Sequence, residues 1–196
     1  KNVFRTKGII STFILSELLA VISFFCFYVF QFVSHMQKQM IISLEKETDF
    51  VTVQMSGFPI TTMFVFKLAA GIITMSLILL LVGTVKRSFY QFLLSQKEDI
   101  RTMYLLGEST RGLIAFSMLQ IIETFLVVSI TGLIVGKFIF FSSVIKTIQI
   151  GLYSEDVNTF NVDVIVICIL LISMLLYVIF STFISSSRKI KTIIEE

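Results

Sequence analysis

The chain has 196 residues, of which 56% are hydrophobic and 15% charged, with a mean hydropathy of +0.94. A soluble domain coats itself with about 25% charged residues, so a soluble globular fold is excluded and lipid is the expected solvent. The net charge is only +3, no nucleic-acid partner is expected, and the placement of the basic residues matters more than their sum.

Crossing a bilayer core of about 30 Å takes about 20 apolar residues of helix. The first stretch of this kind is residues 8–32. It is too long for the h-region of a cleavable signal and lacks a small-residue cleavage site. Residues 33–59 follow as a polar loop. Met36, Met40 and Leu44 recur at four-residue spacing, which predicts a short helix continuing the first span. Asp49 to Met55 reads as an extended, β-prone stretch, and Gly57 and Pro59 punctuate entry to the second span, residues 60–85.

Residues 86–111 form the next connection. Phe89, Phe92, Leu93, Ile100, Met103 and Tyr104 continue at helical spacing, interrupted by Lys97, Glu98, Asp99 and Arg101. The pattern predicts an extension of the second span and then an amphipathic helix. Gly107 stands where that helix would end on a left-handed residue, and Ser109 or Thr110 would cap the third span. Such an element either lies on anionic lipid or docks into a protein partner.

The third span is residues 112–141, the fourth residues 162–184, with an outer loop 142–161 carrying Glu155 and Asp156 between them and a tail 185–196 after them. Lys1, Arg5, Lys7, Lys86, Arg87, Lys97, Arg101, Arg111, Arg188, Lys189 and Lys191, 11 of the 16 basic residues, fall before the first span, between the second and third, and after the fourth. Basic residues mark the cytoplasmic side. The expected fold is therefore an all-α integral membrane protein: one domain of four transmembrane helices, both termini cytoplasmic, with a cytoplasmic amphipathic helix between the second and third.

Several residues inside the spans stand out. Glu17 and Glu123 lie about nine and eleven residues into spans that start on the same side, so they are expected at similar depth. A charged residue at the bilayer centre costs about 2.5 kcal/mol or more; either a shared polar seam or a neutral Glu hydrogen-bonded to Ser or Thr on a neighbouring helix relieves it. Ser129, Gly132 and Gly136 make a small-residue stripe for close helix packing, more readily within the subunit than across a dimer. Lys67 and Lys137 are expected to snorkel outward. Cys26 and Cys168 read as small buried hydrophobes, and lone His35 has no ligand partners for a metal. Gly132 to Lys137 is one residue short of a phosphate loop and lies in a span. With no nucleotide-binding or catalytic motif, the chain is not expected to be an enzyme or to hold a cofactor.

Gln96 to Ser109 resembles the signature of the FtsX-like permease family, an acidic residue followed by Ile and then Leu-Gly-Ala-Ser or Leu-Gly-Ala-Thr. Here Asp99 takes the place of the usual Glu, Leu106, Gly107 and Ser109 match, and Glu108 replaces Ala. Glu123, the Gly132–Gly136 pair and the basic tail also resemble family features; the Pro-Ala pair before the tail is absent. The resemblance covers about residues 60–196. The first outer loop, about 27 residues, is far shorter than the extracytoplasmic domain of many members and looks more like that of the bacitracin-resistance permeases.

The resemblance implies an ABC-transporter permease in a bacterial cytoplasmic membrane. Its expected partners are a second permease subunit, membrane lipid and a separate ATPase that holds ATP and magnesium. Glu98, Asp99, Arg101, Met103, Tyr104 and Gly107 would couple the two. The substrate would be a peptide, an antimicrobial or a lipid. The alternatives are a division or wall-remodelling scaffold of the FtsX kind, or a small membrane immunity or sensor protein without an ATPase.

Overall fold

The computed structural model describes residues 7–46, 50–149 and 160–195. Among them there is no strand. The helices are α1 (Lys7–Lys46), α2 (Phe50–Ser95), α3 (Lys97–Leu105), α4 (Thr110–Phe140), a π-helical turn (Phe141–Ile145), α5 (Lys146–Gln149) and α6 (Val164–Glu195). Among the described residues, four segments are long and apolar enough to cross a membrane: Ser11–Ile42, Ile60–Ser95, Thr110–Ile145 and Val164–Ile184. Helices keep every backbone hydrogen bond inside the segment, which lipid requires.

The expected continuation of the first span is present, since α1 runs unbroken to Lys46. The extended stretch is not. Phe50 to Met55 is helical, and α2 runs through both Gly57 and Pro59. The β-branched residues there have a preference for strands that context readily overrides. Among the described residues they have no strand to pair with, whereas the helix needs none. Asp49 lies outside the described residues, as do Glu155 and Asp156.

The chain divides into two compact units. The first comprises residues 1–19, 79–131 and 165–196. Its core includes Leu81, Val85 and Phe89 of α2, Ile121, Phe125 and Val128 of α4, and Met174, Val178 and Thr182 of α6. The α2 and α6 sets recur every four residues and the α4 set after four and then three, the spacing of one helix face. Lys86 Nζ donates to Ser181 Oγ at 2.7 Å, and the adjacent Thr182 Oγ1 lies 3.6 Å from Met118 Sδ.

The second unit comprises residues 20–78 and 132–164. Its core is aromatic. The fully buried Phe140 ring has Phe25, Tyr28, Phe32, Phe141 and Phe160 around it at centroid distances of 5.6–6.3 Å. The Tyr28 hydroxyl donates to the Leu133 carbonyl at 3.3 Å, giving the phenol the partner that a buried polar tip needs. Beyond Phe140 the helix widens into the π-helical turn, and Ile145 rather than residue 144 returns to the core.

Candidate functional site

The connection 86–111 folds as a helical hairpin. α2 reaches Ser95, Gln96 breaks it with φ −98° and ψ 14°, and α3 restarts at Lys97. The stop of α3 has the two bonds of a Schellman motif: Glu108 N–H to the Met103 carbonyl at 3.1 Å, and Gly107 N–H to the Tyr104 carbonyl at 3.0 Å. Gly107, at φ +96°, is the one positive-φ residue among those described. Three residues later, at Thr110, α4 begins. The Gly112 N–H donates to Ser109 Oγ at 3.1 Å, so Ser109, not Thr110, is the cap. A Cβ at Gly112 would stand 2.6 Å from Glu108 Oε1, so the Glu108 carboxylate lies over the first turn of α4, where the helix dipole favours negative charge.

Within α3, Ile100 is buried, whereas Glu98, Asp99 and Arg101 are exposed. Met103 and Tyr104 are partly exposed, but Leu105 and Leu106 are more so, at 77% and 83%. The sequence reading missed these two leucines as surface groups. They belong to the Leu-Leu-Gly run at which α3 ends. A groove of about 380 Å³ opens between α3 and the start of α4, lined by Asp99, Ile100, Met103, Leu106, Leu113 and Phe116 among others. Its chemistry is that of a mostly apolar cleft with a carboxylate at the rim. It contains no nucleophile–base pair, and the described residues include no group of His, Cys, Asp or Glu able to hold a metal.

The two intramembrane acids are not level with each other. The Thr131 hydroxyl lies 2.7 Å from Glu17 Oε2, and Thr131 is eight residues, about 12 Å, further along α4 than Glu123. Counting from the apparent start of each span misplaced them, because α4 begins well before its apolar stretch meets α1. Glu17 is half-buried, and Glu123 is exposed with no hydrogen bond or ion pair among the described residues. Among the described residues the seam shared with Glu123 does not form, and Glu17 meets instead a threonine on a neighbouring helix, the other arrangement expected.

The small-residue stripe works inside the subunit. A Cβ at Gly132 would stand 2.6 Å from Ala20 Cβ, and one at Gly136 3.1 Å from Phe24 Cβ, the Phe25 nitrogen and the Val21 oxygen. Ser129 is buried, and its Oγ has no hydrogen-bond partner among the described residues. Lys67 Nζ donates to Gln37 Oε1 at 3.3 Å, and Lys137 Nζ stands 5.8 Å from the Phe141 ring centroid. His35 stacks edge-on to Phe160 at 5.6 Å. Both cysteines are free, but neither is fully buried: Cys26 is half-exposed and Cys168 faces outward. An apolar residue facing lipid needs no burial in protein, which is why the expectation failed there. No family model, curated protein or solved structure matches the chain.

Proposed function

We propose that this chain is the membrane-spanning permease subunit of an ABC transporter of the FtsX-like kind, in a bacterial cytoplasmic membrane with both termini inside. A separate ATPase would hydrolyse ATP, and the permease would use that work to export or extract a peptide, antimicrobial or lipid substrate. The observation that carries the reading is the α3–α4 hairpin. It lies between two candidate spans, its helix stops on a defined glycine turn, and it presents an apolar tip, Met103 to Leu106, beside a carboxylate-rimmed groove. Exposed apolar side chains ringed by charge are the composition of a protein-docking patch. The motif from Asp99 to Ser109 adds the family resemblance.

In this reading the ATPase grips the hairpin tip, with Met103 and Tyr104 as anchors and Glu98, Asp99 and Arg101 orienting it at the rim. Movement of the tip passes to α2 and α4, the two helices from which the hairpin is built. Purifying the tagged chain from its native membrane in mild detergent tests the reading. An ABC ATPase should co-purify in stoichiometric amount; a chain that purifies without one, from cells that express its neighbouring genes, is not a transporter subunit.

A further inference from the structure

We propose that the face of α4 carrying Gln120 and Glu123 is where a second copy of this chain packs, the two α4 helices lying parallel about a two-fold axis along the membrane normal. This pairing does not depend on the ATPase.

One face of α4 is already used. Leu113, Ser117, Ile121, Phe125 and Val128 are buried. The other face presents Phe116, Leu119, Glu123, Leu126 and Ile130, all exposed. These positions repeat at alternating intervals of three and four, the seam of a left-handed helix pair, which is also the common crossing in membranes. The outward faces of α2 and α6 are different. Val65, Ile72, Met75 and Leu79 on α2, and Ile165, Ile169, Ile172 and Leu176 on α6, are exposed, and neither apolar stretch shows an acid or amide outward. Lipid alone suits them.

It does not suit Glu123. Lys86 bonds to Ser181, and the adjacent Thr182 meets Met118, so Lys86 stands near the level of Met118. Glu123 is five residues further along, about 8 Å deeper. Its side chain bonds to no described residue, and neither does the carboxamide of Gln120, a half-buried residue one turn before it at the edge of this face, where α4 borders the groove beside α3. One is an acceptor and the other carries two N–H donors. A two-fold axis brings residue i to residue j and residue j to residue i. Two copies inserted the same way have parallel α4 helices, and three residues correspond to about 4.5 Å of rise. Each Gln120, at the edge of the seam, can therefore donate to the Glu123 of the second copy, giving two reciprocal bonds that flank it.

The test is oxidative cross-linking in membranes, in a chain whose Cys26 and Cys168 are replaced by Ser. Leu119→Cys and Leu126→Cys flank Glu123 on the seam; Met75→Cys and Ile169→Cys are equally lipid-accessible controls. The expected result is a disulfide-linked dimer from positions 119 and 126 and none from 75 or 169. Adding Glu123→Leu to Leu119→Cys should lower the linked fraction, consistent with about a fivefold loss in association. Removing an acid from a lipid-facing position does not threaten insertion. No dimer at 119 and 126, equal linking at all four positions, or linkage to a protein of another sequence would overturn the proposal. Each of those outcomes leaves ATPase co-purification unaffected, so the two readings fail separately.

Discussion

Glu17 and Thr131 join α1 to α4 through a polar contact, 2.7 Å between Oε2 and the hydroxyl. The same hydroxyl lies 2.8 Å from the Val127 carbonyl and 3.2 Å from that of Val128. A threonine has one hydroxyl proton, so it serves one of the three acceptors at a time. A donor at position 17 would complete the set, because the hydroxyl could then donate to its own helix and accept from α1.

That count gives the first prediction. Glu17→Gln supplies an amide donor and should retain or slightly raise stability. Glu17→Leu should lose the contact, at about 0.6 kcal/mol and no more than about 1.7. Thr131→Val should cost a similar amount, and the Leu–Val double variant no more than either single change. Unfolding in mixed micelles measures all four; additive losses would show that the two side chains are not coupled.

The close approach of α1 and α4 gives the second. Gly132→Ala inserts a Cβ 2.6 Å from that of Ala20 and 3.0 Å from its carbonyl carbon, and overpacking of this kind costs about 1–3 kcal/mol. Ala20→Gly in the same chain removes the nearer clash and should restore part of the loss. Thermal unfolding in detergent reads both, and a neutral Gly132→Ala would mean that the helices separate freely.

Gly107 provides a test of backbone rather than packing. Nothing lies within 4 Å of a Cβ added there, but φ is +96°. The whole effect of Gly107→Val is therefore conformational, of the order of 1–3 kcal/mol. Gly107→Asn should be milder, since Asn visits positive φ more easily. Limited proteolysis of the hairpin should accelerate in the order Gly, Asn, Val.

Replacing Met103 and Tyr104 together with Ala should leave the chain inserted and abolish ATPase co-purification. Buried interface anchors can contribute about 2 kcal/mol or more each. Adding Leu105→Ala and Leu106→Ala should deepen the loss. Full retention of the ATPase by the fourfold variant would assign the tip to the lipid surface instead.

Orientation is tested with single cysteines in a chain lacking Cys26 and Cys168. Positions Ser95 and Ser187 should resist an impermeant thiol reagent in intact cells, and position Ser154 should react. Labelling at Ser95 from outside would reverse the topology inferred from the basic residues.

The spans were legible because the length of an apolar run is a direct requirement of the bilayer. The Gly107 stop was legible, and the cap of α4 was narrowed to Ser109 or Thr110, because left-handed backbone and N-capping each favour few residue types. Phe50 to Met55 was misread because β-branched residues carry a local preference that the helix overrides. The depths of Glu17 and Glu123 were misread for another reason: register between helices is set by side chains such as Ala20 and Gly132 meeting, and a span boundary in sequence does not encode it. The outward direction of Glu123, Leu105 and Leu106 likewise depends on which face the neighbouring helices occupy.

The π-helical turn at Phe141–Ile145 has a consequence for how positions along the chain are compared. An α-helix brings residues 140 and 144 to one face, whereas here Phe140 and Ile145 both point inward. A ring closed from i to i+5 takes up one residue without advancing the face. A helical wheel drawn through α4 therefore falls out of phase by one position after Phe140, and an alignment of this chain with a relative whose third span is purely α-helical needs a one-residue gap at the turn to keep equivalent side chains together.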